Sequence, residues 1–166
     1  GLIHLFNHAL MKGALFMVAA CVAWRMGDTS MNSLRGLGQR MPLTMAAFVA
    51  SGLALIGVPG TIGFVSKWAL VSAALEADAV WLAFLIMASS VLAVVYIWRI
   101  VEIAYFSEPA VQEASGDRVA GSGDAPARML LPTWILTGAT IYFGLFSDFS
   151  VDVAQRAAAQ IFGAGM

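Results

Sequence analysis

Long apolar runs separated by short polar stretches dominate the chain, and their lengths predict its elements. The first run covers 2–26 and carries no charge between Lys12 and Arg25. It is long enough to cross a hydrocarbon core of about 30 Å, which takes about 20 helical residues. Gly27-Asp28-Thr29-Ser30 then reads as a helix stop, followed by a polar connection over 27–41 with Arg35 and Arg40. The second run, 42–75, opens at Pro42, a residue favoured in a first helical turn. As one straight helix it would measure about 50 Å, too long for a single crossing. Its middle reads Gly57-Val58-Pro59-Gly60-Thr61-Ile62-Gly63, where glycines and a proline forbid a regular helix. The pattern predicts one discontinuous crossing over about 43–75; two short re-entrant segments are the alternative. A third crossing is expected over 79–106, after Glu76-Ala77-Asp78, and a fourth over 129–146. Between them, 107–127 is rich in Ser, Gly, Pro and acids, and the tail 148–166 is amphipathic, suited to the interface. No internal repeat is evident.

The expectation is therefore an all-α, polytopic transmembrane helical bundle with about four crossings, one of them discontinuous. Residues 1–106 would hold three crossings, 107–128 a cytoplasmic polar loop, and 129–166 the last crossing and tail.

Composition sharpens this reading. Of 166 residues, 60% are hydrophobic and 11% charged, and the mean hydropathy is +0.83. Soluble domains are roughly half apolar and a quarter charged. The net charge of -1, without a basic stripe, gives no reason to expect nucleic acid. Cys21 stands alone inside an apolar run, which excludes a disulfide framework and fits a structural role. Gly1-Leu2-Ile3-His4 has neither an initiator Met nor a charged leader, so the chain is expected to lack its beginning. With four crossings, Arg25, Arg35, Arg40, Arg99, Arg118 and Arg128 fall on one side and Arg156 on the other. By the positive-inside rule, the 27–41 and 107–127 loops are cytoplasmic.

Lys12 and Lys67 remain at membrane depth, where ionisable groups are costly and mark function. His4, His8 and Lys12 recur at i, i+4 and i+8, on one helix face that drifts about 40° per step. Each step rises about 6 Å, a gap that one or two waters bridge. Asn7 flanks the stripe. Imidazole exchanges protons near neutrality, and lysine does so where burial disfavours the ammonium. An interfacial histidine satisfied by water is the competing reading, strongest for His4. His4 and His8 alone supply too few ligands for a metal site. Lys67 follows the 57–63 break, near the amino end of the second half-helix. That end is positive, which should ease proton release from Lys67. Arg99 and Glu102, one turn apart, read as a structural ion pair. The acids of 107–127 read as loop solubility. No phosphate-binding, zinc-protease, redox-cysteine or nucleophile-elbow motif occurs, so no catalytic centre and no cofactor are expected.

These segments resemble a known family. His4-Leu5-Phe6-Asn7-His8-Ala9-Leu10-Met11-Lys12-Gly13-Ala14-Leu15-Phe16 is similar to the His-rich helix of the antiporter-like membrane subunits. Those subunits occur in respiratory NADH:quinone oxidoreductase (complex I), in Mrp-type cation/proton antiporters and in membrane-bound hydrogenases. Ser33-Leu34-Arg35-Gly36-Leu37-Gly38, with Met41-Pro42-Leu43-Thr44, resembles the connection that follows. Gly57 to Trp68 resembles the broken helix with its channel lysine, and Tyr96 with Arg99 is also similar. The likeness runs over 1–106 and corresponds to the last four of about fourteen crossings. It implies that His4, His8 and Lys12 belong to a central proton relay. It implies further that Lys67 gates a half-channel, with Gly57, Pro59, Gly60 and Gly63 forming the break.

The expected function is thus a proton-translocating subunit of an NADH:quinone oxidoreductase-like or Mrp-type complex, in a bacterial inner (cell) membrane. It would be part of a redox-driven pump in the first case and a transporter in the second. Its partners would be other membrane subunits, the bilayer, protons and, for an antiporter, sodium. A non-transporting scaffold and an unrelated ion channel or carrier are the alternatives.

Overall fold

The computed structural model describes residues 2–108 and 123–147, together with Asp152, Arg156 and Gln160. Six helices follow in order: α1 Leu2–Met26, α2 Leu37–Arg40, α3 Pro42–Ile56, α4 Ile62–Glu76, α5 Val80–Phe106 and α6 Ala127–Leu145. No strand occurs among the described residues, so the all-α class holds. Ile3–Met26 and Val80–Phe106 are each long and apolar enough to cross a membrane alone, and α3 is a shorter apolar helix.

Cross-helix contacts fix how these elements run. The carboxyl end of α1 packs Val18, Cys21 and Val22 against Leu37, Met41 and Met45. Further back, Met11 packs with Ala54, Leu55 and Ile62, and Asn7 then reaches Ile62 O. A single α1 therefore lies antiparallel to α3 and then to α4. Helix α5 does the same on another side: Ser90 meets Lys67, Ile97 lies over Gly52, and Tyr105 covers Gly38. Two uninterrupted helices spanning both halves make α3 and α4 one discontinuous crossing. The re-entrant alternative, a pair of segments folding back, does not arise.

The interruption has local causes. Gly57 closes α3 at φ 94, and Gly60 turns the chain at φ 87, left-handed conformations that cost an L side chain about 1–2 kcal/mol. Pro59 lies between them and donates no backbone hydrogen bond. Close approach adds a second constraint. A Cβ at Gly63 would overlap the Ala54 carbonyl, and one at Gly144 would overlap the Thr61–Ile62 peptide. Helices α3 and α6 thus close on the break because those positions carry no side chain.

Polar side chains tie the bundle internally. On α6, Thr133, Thr137 and Thr140 are fully buried. Thr137 Oγ1 lies 3.0 Å from Ser51 Oγ, and Thr133 Oγ1 lies 3.7 Å from Cys21 Sγ. Cys21 is a packed core residue, completely buried.

Two connections depart from their sequence reading. The 27–41 stretch is polar only in part: Leu37, Gly38 and Met41 are buried where α2 docks under α5. Its exposed start is ordered by Asp28, which accepts from Thr29 N, Ser30 N and Ser33 Oγ. Hydrogen bonds from the Ser30 and Ser33 side chains hold its carboxyl below the usual carboxylate range. The second departure is Asp124, which is more than a solubilising loop acid. Its Oδ1 accepts from Thr44 N at 2.8 Å and Thr44 Oγ1 at 2.9 Å, and its Oδ2 accepts from Leu43 N at 3.1 Å. It caps the amino end of α3 from 80 residues away, which sequence spacing could not reveal. Most of 107–127 and of the 148–166 tail lies outside the described residues.

Candidate functional site: the helix break and its titratable neighbours

Lys67 sits one turn into α4, and its side chain folds back across the break. Nζ donates to Leu55 O at 2.9 Å, Ile56 O at 2.8 Å and Ser90 Oγ at 2.8 Å. The first two are carbonyls of the last turn of α3, left without helical partners because Gly57 ends that helix. Sequence reasoning set Lys67 against the positive amino end of α4. Its ammonium lies instead at the negative carboxyl end of α3, where the backbone dipoles attract a cation. The reason is reach: four methylenes carry Nζ past the first turn of its own helix. No carboxylate pairs with Lys67 among the described residues. Three neutral oxygens hold it.

His4 faces the same helix from α1. Its Nδ1 lies 3.2 Å from the hydroxyl of Ser66, which is fully buried and also donates to Gly63 O. Ser66 thus joins the imidazole to the first turn of α4, beside Lys67. His8 is half-buried, its ring centre 5.6 Å from that of His4 and tilted by 34°. Asn7, completely buried, donates Nδ2 to Ile62 O at 3.2 Å.

Lys12 stands apart. It lies on the exposed face of α1 with Leu5 and Phe16, and the drift of the i, i+4, i+8 stripe carries it away from α4. Arg99 and Glu102 form a 2.8 Å ion pair on the exposed side of α5, remote from the break. A pair so exposed contributes little stability. Among the described residues no group of three or more His, Cys, Asp or Glu could hold a metal.

Two contributors to the site, and the threonines that tie α6 to the bundle, escaped sequence reasoning. Ser66 and Ser90 are short hydroxyls in apolar helices, and only packing makes them neighbours of His4 and Lys67. The threonines of α6 did leave a signal, since spacings of four and three place them on one face. Chemically, the site offers a protonatable amine at a helix interruption, an imidazole linked to that helix by a hydroxyl, and a second imidazole one turn along.

Comparison with known proteins gives the following. Residues 1–93 match the family described as NADH:quinone oxidoreductase/Mrp antiporter, transmembrane. The NADH-quinone oxidoreductase subunit N of Desulforudis audaxviator is 39% identical over 153 residues, covering 89% of this chain and 30% of that protein. The F(420)H(2) dehydrogenase subunit N of Methanosarcina mazei is 30% identical over 167 residues, covering 95% of this chain and 32% of that protein. In the solved Mrp complex from Dietzia sp. DQ12-45-1b, one chain superposes with a TM-score of 0.85 at 25% identity. The match covers 98% of this chain and 37% of that one. Similarity thus continues past residue 106, where the sequence motifs stop. The chain spans about a third of the length of the curated relatives it matches.

Proposed function

Because the chain belongs to the NADH:quinone oxidoreductase/Mrp antiporter transmembrane family, and is accordingly an integral membrane protein, we propose that it forms the proton-conducting half-channel end of a larger membrane subunit. Lys67 is its exchanging amine, His4 and His8 its relay, and Gly57, Pro59, Gly60 and Gly63 the break that opens a place for them. Lys12 continues the relay towards the rest of the longer protein. Residues 1–106 carry this work, 107–128 a cytoplasmic connection, and 129–166 the closing crossing and tail.

One observation carries the reading. An ammonium at membrane depth is held by two helix-end carbonyls and a serine hydroxyl, without a carboxylate among the described residues. Cations inside a membrane pair with carboxylates or with backbone carbonyls and mark function, and Lys67 takes the carbonyl course. Neutral acceptors instead let Nζ lose and regain a proton while staying hydrogen-bonded. The redox reaction or counter-ion gradient that drives the flux belongs to partner membrane subunits. The setting is a bacterial inner membrane, with sodium a second ion if the assembly is an antiporter.

The test is Lys67→Met in the full-length protein within its reconstituted complex, with proton uptake into vesicles as readout. Transport should fall at least tenfold, the cost of about 1.4 kcal/mol at a rate-limiting step, with subunit assembly intact. Undiminished flux would leave the scaffold reading standing. Sodium dependence of the wild-type flux separates antiporter from redox pump.

A further inference from the structure

At the end of α3 remote from the break, two open clefts adjoin. One, of about 290 Å³, is lined by Asp28, Asn32, Arg35 and Arg40 among others. The other, of about 360 Å³, has Asn32 and Arg35 on one wall and Arg99, Glu102 and Phe106 of α5 on the other. Asn32 and Arg35 are shared, so the two clefts form one continuous feature. The backbone sets this up. Gly36 N donates to Ile103 O, a carbonyl of the last turn of α5, and so docks the 27–41 connection on that helix. Arg35, the preceding residue, is thereby brought into the same cleft as Arg99.

The charges there do not balance. Both carboxylates are satisfied: Asp28 accepts from Thr29 N, Ser30 N and Ser33 Oγ, and Glu102 pairs with Arg99 at 2.8 Å. Arg35 and Arg40 have neither an ion pair nor a side-chain hydrogen bond among the described residues. Arg99 commits only Nη1 to Glu102. Guanidiniums without acceptors match a phosphate, whose oxygens take the planar fork two at a time. The positive-inside rule accounts for the number of arginines at this end, but not for their convergence on one cleft.

What lies next to the cleft decides between a small anion and a lipid. Positions 81, 85, 88, 92, 95, 99, 102 and 106 of α5 alternate spacings of four and three and share one face, which drifts about 20° per heptad. Trp81, Leu85, Ala88, Leu92 and Val95 form its exposed apolar length, and Arg99 and Glu102 its polar end in the cleft. One leaflet of hydrocarbon is about 15 Å thick, or about ten helical residues, which from Arg99 reaches back to about position 89. The face thus joins a phosphate-accepting head to an apolar run of one acyl-chain length, and an amphiphile fits both parts.

We infer that this end of the bundle binds an anionic phospholipid. Arg35 and Arg99 hold its phosphate, Arg40 flanks it, and an acyl chain lies on Val95, Leu92 and Ala88. Basic clefts beside membrane helices take anionic headgroups in this way. Bound there, the lipid braces the 27–41 connection against α5. The site needs the membrane setting and not the proton relay.

Electron cryo-microscopy of the full-length protein in its assembled complex tests this, with matched nanodiscs of phosphatidylglycerol and of phosphatidylcholine. In phosphatidylglycerol a phosphate-sized peak is expected about 3 Å from the Arg35 and Arg99 guanidiniums, continuous with a tube of density over Leu92 and Val95. Both should be lost in phosphatidylcholine, whose choline cancels the charge, and in the Arg35→Gln/Arg40→Gln complex. A peak without the tube, appearing when inorganic phosphate is added to the phosphatidylcholine sample, would make this a small-anion site and overturn the proposal. So would equal density in both lipids, an empty cleft, or protein filling it, from a partner subunit or from the rest of the longer chain. Should the double variant not assemble, the contrast between the two lipids still decides.

Discussion

An ammonium keeps its place only as well as its acceptors let it. Lys67 Nζ uses all three of its donors, on Leu55 O, Ile56 O and Ser90 Oγ. The two carbonyls belong to the backbone and cannot be removed by substitution. Ser90 can, and its hydroxyl is the α5 group hydrogen-bonded to the amine. Ser90→Ala should therefore slow proton uptake about tenfold without changing assembly, since a hydrogen bond to a charged group contributes about 1.5 kcal/mol or more. Ser90→Thr, which restores the hydroxyl, should recover most of the rate. Equal loss in both variants would mean that the hydroxyl is irrelevant and only the shape of α5 matters. Ser66 has the corresponding place beside His4.

At the scale of the element, the discontinuous crossing is held from both ends. Gly57 and Gly60 set its geometry, and Gly63 admits Ala54 O where any side chain would collide. The far end of α3 is anchored by Asp124, which satisfies the Leu43 and Thr44 amides that the helix start leaves open, Pro42 before them carrying none. Asp124→Ala should lower the stability of the full-length protein by about 1–2 kcal/mol, read as a fall in thermal midpoint in detergent. Asp124→Asn, which keeps an oxygen acceptor, should restore most of the loss. An unchanged midpoint in both would show that the cap carries no weight. The strap matters to the site because α3 delivers the Leu55 and Ile56 carbonyls at its other end.

At the scale of the whole molecule, the bundle has an uneven exterior. Helix α5 carries a nearly continuous exposed apolar face, with Trp81, Phe84, Leu92 and Trp98 all exposed. Helix α1 also exposes Leu5 and Phe16, but Lys12 lies between them. A lysine at a helix centre facing lipid costs about 2.5–3.5 kcal/mol on insertion scales, so that face is expected to be covered by protein in the assembled complex. Lys12 should accordingly resist a membrane-permeant amine reagent in the complex and react in the isolated 1–166 chain. Equal labelling in both states would put α1 against lipid and remove Lys12 from the relay.

The sequence by itself determined the class and the lengths. Apolar runs of 20 or more residues admit little but membrane helices, and Gly57-Val58-Pro59-Gly60 forbids a helix through its middle whatever surrounds it. Spacing placed His4, His8 and Lys12 on one drifting stripe, because periodicity is a property of a single helix. What packs against that stripe is not, and tertiary structure alone decided it. The fold turned His4 towards Ser66 and left Lys12 outside. It sent Lys67 back to the carbonyl end of α3 rather than to the amino end of its own helix, and it brought Asp124 to a helix start 80 residues away. Local patterns encode backbone geometry, whereas hydrogen-bond partners between helices depend on which faces meet and on how far a flexible side chain reaches.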